Sequence, residues 1–596
     1  MGDFNIKDIN WQNETTSHEH DHLSTKFLEA VRDSFLIQHV QDTTRSRNTD
    51  TPTLLDLIFT NEEGMIENLE HKPPLGKSDH DVLSFNLKCT NQTKPQQKEK
   101  PCFFKGDYDT IKTKLSSLDW EQELCAGGIE DSWERFTDII QDTIKENIPV
   151  RKSSTHKFDT PWMDNPALEA IRKKRQMWKK YKYNRNPNSR HKYEEARDDA
   201  NIKIRNAKYN YEKSIAEKTQ DDQNIFWKYV QSKTKIKEDI QCIIDEDGTI
   251  LTSNKEKAEI LNKFFTNVFT DESYTNIPIF QDRTDKTLEN IEFLESDITK
   301  YLNKLEDHKS QGPDNMHPHY FKTLAEQLKE PLHILFNKSF REGKLPNVWK
   351  TANITPLHKK GPKHDSSNYR PISLTSIICK IMEKIVRDAI MTYMEENKLF
   401  TVHQHGFRKR HSCVTQLIEV LEDWSKEIDK SNSIDNIYLD FQKAFDKVPH
   451  KRLLNKLKGY GIGGNLLSWI ESFLTDRKQR VVLNGSESNW TNVTSGIPQG
   501  SVLGPTLFLI YINDLPDVVH NIVKLFADDT KLYSVVNNAE EQEKLQEDIN
   551  NLTSWSNEWL LKFNVSKCKH LHLGKPNQAA YTMNDEEITK CNSEKD

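Results

Sequence analysis

The 596-residue chain has little of what marks a disulfide-linked, secreted or membrane-spanning protein. Its eight cysteines are scattered and none forms a CxxC pair, which argues against a zinc knuckle and a disulfide framework. The longest apolar run, residues 502–515, is too short to span a bilayer and contains Asn513 and Asp514. The first residues, MGDFNIKD, lack the basic-then-apolar pattern of a signal peptide. These features favour a soluble, intracellular protein with reduced thiols.

An overall excess of positive charge is also lacking, because the formal net charge is −7. The charge is unevenly distributed, however. Residues 151–240 hold 23 Lys and Arg against 13 Asp and Glu. A local basic stripe of this kind attracts a phosphate backbone even when the whole chain is acidic.

Helical periodicity runs through much of the first half of the chain. Apolar residues recur at three- and four-residue spacing in 133–148, and a long basic helical region extends from 161 to 218 with a break at NRNPNS (184–189). Two interpretations of that region stay open, a solvated helix face and an RNA-facing arm. The residues that would contact RNA are Lys173, Lys174, Lys179, Lys180, Trp178, Tyr181, Tyr183, Tyr209 and Tyr211.

Two adjacent aspartates, Asp528 and Asp529, interrupt the apolar segment IVKLFADDTKLYSVV (522–536). Its flanks predict a β-hairpin with both acids at the turn. A second strand-like segment, 437–439, ends at Asp440. If that strand lies beside the hairpin, three carboxylates meet at one end of a sheet, where they repel one another unless cations neutralise them. Because Mg²⁺ favours carboxylate and phosphate oxygens, this pattern predicts two-metal phosphoryl transfer.

These segments together resemble the reverse transcriptase of non-LTR (LINE-type, jockey-like) retrotransposons. The resemblance covers roughly residues 300–596 and keeps the family's order of motifs. The matching blocks are NITPLHKKG (353–361), NYRPISLTSIICKIMEKIV (368–386), QHGFRKRHSC (404–413), YLDFQKAFDKV as motif A, SGIPQGSVLGP as motif B, FADD as motif C and LKFNVSKCKHLHLG (561–574) as motif D.

The resemblance implies a role for individual residues. Asp440, Asp528 and Asp529 would be catalytic, and two Mg²⁺ ions, with Mn²⁺ as the alternative, would be held by Asp440, Asp528 and the Phe441 carbonyl. Phe445 would be the steric gate against a ribose 2′-OH, and Lys567 would protonate pyrophosphate. Apart from the resemblance, Asp446 is interpreted as a simple cap of the following helix. The remaining nucleotide-binding residues would be Lys359, Arg370, Gln499 and Gly500.

The N-terminal residues resemble a different family, the endonuclease/exonuclease/phosphatase enzymes. GDFN (2–5), TLLDLIFTN (53–61) and KSDHDVLSF (77–85) are similar to its later blocks. By that resemblance, His80 would be a general base oriented by Asp79, and Asp3 and Asn5 would lie at the scissile phosphate. The family's earlier half would precede GDFN, so we expect a partial sandwich without nuclease activity.

The expected fold class is therefore α+β, a right-hand polymerase with palm and fingers and without its thumb. A helical basic linker and a partial α/β endonuclease sandwich would precede it. The expected divisions are an endonuclease-like part (1–90), a linker (91–102), a helical basic region (103–290), fingers (291–430) and a truncated palm (431–596).

The leading functional hypothesis is target-primed reverse transcription, in which dNTPs extend a DNA primer on an RNA template. The expected partners are RNA template, DNA primer or target DNA and dNTPs, with no membrane and an undetermined oligomeric state. The resemblance implies a cytoplasmic and nuclear location. Two alternatives stay open, a catalytically inactive nucleic-acid-binding remnant of a decayed element and a bacterial-type intron maturase, against which the nuclease-like N-terminus argues.

Overall fold

A computed structural model describes the chain except residues 20–21, 35, 47–50, 61–64, 76–77, 88–98, 153–161, 185, 220–224, 228, 231–239, 241, 246, 273–276, 577–578 and 594–596. Residues 91–98 of the predicted linker therefore lie outside the described residues. The contacts divide the chain into two compact units, residues 1–99 with 152–239, and residues 100–151 with 240–596.

The described chain contains both helices and strands. The helices are α1 (Leu23–Asp33), α2 (Tyr108–Ser116), α3 (Trp120–Leu124), α4 (Ile129–Asn147), α5 (Asn165–Asn184), α6 (Pro187–Thr219), α7 (Asn254–Thr266), α8 (Glu295–Asn303), α9 (Pro318–Thr323), α10 (Ala325–Glu342), α11 (Ile377–Glu396), α12 (Cys413–Asp429), α13 (Ala444–Lys447), α14 (His450–Gly459), α15 (Gly464–Leu474), α16 (Gly504–Ile512) and α17 (Ala539–Glu558). Short 3₁₀ segments cover Phe103–Lys105, Asn347–Lys350, Ser366–Asn368, Leu515–Val518 and Val565–Lys567.

The strands are β1 (Gly2–Asp3), β2 (Ile9–Asn10), β3 (Thr15–Thr16), β4 (Ile37–Gln38), β5 (Asp56–Leu57), β6 (Phe59–Thr60), β7 (Ile66–Lys72), β8 (Val82–Leu87), β9 (Glu99–Pro101), β10 (Val150–Lys152), β11 (Ile243–Ile244), β12 (Ile250–Leu251), β13 (Thr351–His358), β14 (Tyr369–Leu374), β15 (Ile434–Leu439), β16 (Arg477–Leu483), β17 (Ser486–Glu487), β18 (Thr491–Val493), β19 (Ile522–Phe526), β20 (Asp529–Val535), β21 (Lys569–Leu573), β22 (Thr582–Met583), β23 (Glu586–Glu587) and β24 (Thr589–Cys591).

Two five-stranded sheets organise the larger unit. The first has the order β19-β20-β15-β21-β24, and β15 pairs antiparallel with both of its neighbours. The second has the order β14-β13-β16-β17, with β18 paired to β16. One continuous apolar core includes side chains from the first sheet, such as Ile437, and from α11, α14 and α16. The first sheet is thus held between helices, and its central strand is buried on both faces.

Local sequence explains where several of these elements begin and end. Ser376 caps α11 by accepting a hydrogen bond from the Cys379 amide (3.3 Å), and Ser412 and Thr415 form a capping box at the start of α12. Asn584 and Asp585 both have positive φ, the conformation of a two-residue hairpin turn, between β22 and β23. The helix predicted over 133–148 and the strand predicted over 82–87 are both present.

The basic helical region of the smaller unit forms the helix pair α5 and α6, which is interrupted where the sequence predicts a break. The hypothesis that Lys174 contacts RNA is wrong. Lys174 is buried, and its Nζ lies 3.3 Å from an Asp33 carboxylate oxygen of α1. Lys173, Lys179 and Lys180 are exposed, so the hypothesis for those residues stays a prediction. Of the helices in the described part of the chain, none combines the length and the apolar character that a membrane span requires.

A buried ion pair joins α14 to the segment after α16. The fully buried Lys456 ammonium donates to the Asp514 carboxylate and to the Tyr511 carbonyl (2.7 Å), and it lies 3.8 Å from the centre of the Trp559 ring. Burial lowers the pKa of Lys456 to about 8, and Asp514 opposes that shift. The Trp555 indole donates to the other Asp514 oxygen at 3.0 Å.

We expect Asp514→Ala to lower the free energy of unfolding by about 3–5 kcal/mol, because it leaves a buried ammonium without its counter-charge. Chemical denaturation of the full chain measures the loss. The matched control is Glu422→Ala, which removes an exposed partner of Lys426. We expect it to leave the free energy of unfolding unchanged. Equal effects of the two substitutions would contradict the prediction.

Candidate active site

Asp440 directly follows the central strand of the first sheet. Leu439 at the end of β15 pairs with Thr530 of β20, so Asp440 comes beside the turn that joins β19 to β20. The Asp440 backbone carbonyl accepts a hydrogen bond from the Asn564 amide (2.7 Å). Its carboxylate accepts one from the Lys567 ammonium (2.6 Å). The prediction that this strand lies beside the hairpin is therefore confirmed.

The hairpin turn carries the FADD sequence. Phe526 pairs with Asp529, so Ala527 and Asp528 are the two turn residues, and Ala527 has the left-handed φ of 53° that such turns use. Asp528 is partly buried while Asp529 is exposed. Burial raises the pKa of Asp528, the Asp440 charge raises it further, and Arg370 and Lys359 oppose both. Asp440 and Asp528 are thus close enough to repel each other, and the Lys359 charge interacts with both carboxylates.

Cations from the second sheet face this carboxylate pair. Arg370 of β14 pairs with Leu357 of β13, and Lys359 follows β13. Burial lowers the pKa of Lys359, and the neighbouring Arg370 and Lys567 charges lower it further, while Asp440 raises it. The two sheets therefore bring the acids and the cations of the predicted site together.

The loop of motif B packs against β14 through its glycine. Gly500 has a φ of +108°, and an added Cβ would lie 2.8 Å from the Ser373 carbonyl oxygen. The Gln499 carbonyl accepts a hydrogen bond from the Ser373 amide at 2.8 Å. Only glycine allows this close approach of two backbones. The motif B loop therefore contacts β14, the strand that carries Arg370, at Ser373.

The interpretation of Asp446 as a helix cap is wrong. Asp446 lies within α13, and its buried carboxylate accepts a hydrogen bond from the Gln499 side-chain amide at 2.9 Å. The following helix, α14, instead begins after Pro449. Burial raises the pKa of Asp446 to about 6, against the opposing effects of Gln499 and Lys443. Asp446 is thus a positioning residue for Gln499.

Two aromatic residues of motif A are held by ring stacking. The Phe441 ring stacks on Phe563 with 4.4 Å between centroids, and the Phe445 ring stacks on Phe508 of α16 at 4.7 Å. The Phe445 carbonyl accepts a hydrogen bond from the Ile497 amide at 2.7 Å. Phe445 is partly exposed, whereas Phe441 is buried. The specific roles assigned to these residues, as to the acids and cations above, stay predictions.

Gln404 and Gly406 also belong to the site, although the sequence motifs assign no role to either residue. The buried Gln404 amide oxygen accepts hydrogen bonds from the Ala527 amide (2.9 Å) and the Gly406 amide (2.7 Å). A Cβ on Gly406 would lie 2.3 Å from the Ala527 nitrogen. Both residues belong to the quoted QHGF block, but nothing in that block shows that it contacts the FADD turn.

The smaller unit brings several of its predicted nuclease residues near one another. The prediction of which aspartate orients His80 is wrong. His80 Nδ1 lies 2.8 Å from an Asp56 carboxylate oxygen, and its Nε2 lies 3.9 Å from Asp3. Asp79, predicted to orient His80, instead accepts a hydrogen bond from Arg45 at 2.8 Å. Asp56 therefore orients the imidazole. It stands in the quoted TLLDLIFTN block.

Asn5 completes this group of predicted residues. It has a left-handed φ of 52°, and its backbone amide donates to the Asp3 carboxylate at 2.9 Å. The exposed positions of Asp3 and Asn5 leave both side chains accessible from solvent. The expectation that this part of the chain lacks nuclease activity is not tested by the structure and stays a prediction.

Comparison with known families agrees with the geometry of both units. Residues 358–589 match the family of reverse transcriptases (RNA-dependent DNA polymerases), and residues 1–84 match the endonuclease-reverse transcriptase family. The first segment contains every acid and cation of the site described above. Residues 358–589 are therefore similar to a reverse transcriptase domain, and residues 1–84 are similar to an endonuclease-reverse transcriptase domain.

Several relatives are RNA-directed DNA polymerases from mobile elements or transposons. The RNA-directed DNA polymerase from mobile element jockey of Drosophila melanogaster is 25% identical over 567 residues, 87% of this chain and 59% of the relative. Its Drosophila funebris counterpart is 31% identical over 46% of this chain and 31% of the relative. The probable RNA-directed DNA polymerase from transposon BS of Drosophila melanogaster is 32% identical over 46% of this chain and 31% of the relative. The matches thus span between about a third and three fifths of these relatives.

We expect Gly406→Ala to destabilise the larger unit by about 1–3 kcal/mol, because its methyl group would collide with the backbone of the FADD turn. Chemical denaturation measures the change. Gly463→Ala is the control, since Gly463 has an ordinary extended φ and the nearest atoms to an added Cβ are 3.6 Å away. A neutral Gly406→Ala would show that the turn can move.

Proposed function

We propose that this chain is an RNA-directed DNA polymerase that extends a DNA primer with dNTPs on an RNA template. The observation that carries the proposal is the meeting of Asp440 and Asp528 with Lys359, Arg370 and Lys567 within a reverse transcriptase domain. Carboxylates opposite phosphate-binding cations are what nucleotidyl transfer requires. The palm-and-fingers arrangement and target-primed synthesis belong to this proposal.

The donor set fits divalent magnesium. Asp440 and Asp528 offer carboxylate oxygens, which suit a hard cation. Burial and mutual repulsion raise the pKa of Asp528, and a divalent cation would offset both effects. Asp440, Asp528 and the Phe441 carbonyl would hold the ions. When bound, two such ions activate the attacking hydroxyl and stabilise the leaving group.

The protein's own residues would bind and orient the nucleotide. Arg370 presents a planar guanidinium suited to phosphate oxygens, and Lys359 adds a second cation. Lys567 donates a hydrogen bond to Asp440 in the structure, so its first role would be to hold that carboxylate in place. If the Lys567 ammonium left Asp440, it could donate a proton to pyrophosphate. These contacts contribute mainly positioning and charge neutralisation.

The base and sugar would lie between motif A and motif B. Gln499, held by Asp446, would contact the nascent base pair, and Gly500 would let the template backbone approach. The Phe445 ring, fixed by its stacking on Phe508, would leave no room for a ribose 2′-OH. The site would therefore select deoxynucleotides by shape.

Asp528→Asn tests the metal-site assignment. With an RNA template, a DNA primer, dNTPs and Mg²⁺, we expect primer extension to fall by at least about 100-fold, since a charge that neutralises the ions is lost. Asp476→Asn is the matched control because Asp476 is 87% exposed at a surface turn. Equal extension by wild type and Asp528→Asn would refute the assignment. RNA binding without extension by wild type would favour the inactive-remnant alternative.

Phe445→Val tests the steric gate. We expect discrimination between dNTPs and rNTPs to fall roughly 10- to 200-fold, because the smaller side chain opens space for one hydroxyl. The readout is the ratio of kcat/KM for a dNTP to that for the matching rNTP. Phe104→Val, at an aromatic residue that is 56% exposed, is the control. An unchanged ratio would assign selectivity to another residue.

A further inference from the structure

A second polar group lies in the same sheet as the active-site acids. It consists of Asp435 at the start of β15, His570 and His572 of β21, and Tyr581. The Asp435 carboxylate is fully buried. One of its oxygens lies 2.9 Å from His570 Nε2 and 2.6 Å from His572 Nδ1, and the other accepts a hydrogen bond from the Tyr581 hydroxyl at 2.6 Å. We refer to these four residues as the Asp435 cluster.

Strand register brings the cluster together. Asp435 is the direct cross-strand partner of His572, and His570 is the partner of Ile437. Residues two apart on a strand share one face, so both imidazoles lie on the face of Asp435. His570 and His572 expose only 1% and 9% of their side chains. Three groups that bind metals are thus fixed on rigid elements away from bulk water.

Both ring nitrogens of His572 lie beside acceptor oxygens. Its Nε2 lies 2.5 Å from the Lys575 carbonyl oxygen, which can only accept, so Nε2 carries the hydrogen. A neutral imidazole then has a lone pair on Nδ1. That lone pair faces Asp435, another acceptor, at 2.6 Å.

A metal ion held by both the Asp435 oxygen and the His572 Nδ1 lone pair would replace this contact between two acceptors with two favourable bonds. His570 Nε2 lies 2.9 Å from the same oxygen, so one ion could bind all three atoms.

We propose that Asp435, His570 and His572 form a structural zinc site, with the Tyr581 hydroxyl as the fourth group. The three candidate ligand atoms lie within 4.8 Å of one another. Bonds of about 2.0–2.1 Å in a tetrahedral site separate ligand atoms by roughly 3.3 Å, so each histidine nitrogen needs to move away from the Asp435 oxygen by less than about 1 Å. Two imidazoles and one carboxylate favour zinc over magnesium.

The surroundings of His572 match those of a metal ligand. Histidines that bind metals commonly donate their other ring N–H to a backbone carbonyl, which fixes the tautomer and the ring orientation. The Lys575 carbonyl has this position. Bound zinc would tie β15 to β21 and to the segment that carries Tyr581, at the opposite end of β15 from Asp440. The proposal does not depend on the polymerase activity.

A competing group of possible ligands lies in the smaller unit. Among the described residues, Asp8, His18 and His22 also bring three ligand atoms within 4.8 Å of one another, but all three residues are exposed. The two histidine rings stack at 3.9 Å. A zinc measurement on the whole chain therefore has to distinguish these residues from the Asp435 cluster.

The experiment measures zinc in the purified full chain after zinc loading and gel filtration. We expect one equivalent in wild type, one equivalent in His18→Ala/His22→Ala, and none in His572→Ala. Loading should also raise the melting temperature of wild type and of the double variant, but not that of His572→Ala. Affinity should fall as the pH drops below the ordinary histidine pKa of about 6.5, because zinc competes with protons.

X-ray absorption at the zinc edge on wild type keeps the test independent of whether His572→Ala folds. The expected spectrum shows nitrogen and oxygen ligands including two imidazoles, and it is unchanged in His18→Ala/His22→Ala. Absence of tightly held zinc in wild type would overturn the proposal and leave the Asp435 cluster as a hydrogen-bonded group. Loss of zinc from His18→Ala/His22→Ala would also overturn it.

Discussion

The pairing of β15 with β20 is the constraint on which the rest of the site depends. It sets Asp440 beside the FADD turn and so brings the Asp440 and Asp528 carboxylates together at a partly buried site. Such an arrangement is unfavourable by itself and persists only where surrounding structure imposes it. The helices on both faces of the sheet, the Gln404 hydrogen bonds to the turn and the Lys567 ammonium together hold it in place.

Close contacts between backbones also fix the loops that surround the site. Gly406 lets one loop lie against the FADD turn, and Gly500 lets the motif B loop lie against β14. Asp446 then fixes the Gln499 side chain from a buried position. The residues proposed to touch substrate are thus positioned by neighbours that would not touch it, as preorganised electrostatic catalysis requires.

The central strand carries two groups of different chemistry at its two ends. Asp440 opens toward solvent among lysines and an arginine, whereas Asp435 is fully buried among two histidines and a tyrosine. Oxygen ligands with phosphate-binding cations suit magnesium and nucleotides, while imidazoles suit zinc. Burial and neighbouring donors therefore distinguish Asp435, near the start of the strand, from Asp440, which directly follows it.

The sequence alone determined the hairpin around FADD, the strand before Asp440, the helices around the basic region and the resemblance to both families, because periodicity, turn residues and ordered motifs are local signals. It could not show that Asp56 orients His80, that Asp446 holds Gln499, that Lys174 is buried against Asp33, or that His570 and His572 meet Asp435. Each of these contacts joins residues distant in the chain or depends on which face of an element is covered. Only the tertiary structure decides them, since strand register and packing bring together side chains whose spacing in the sequence carries no such signal.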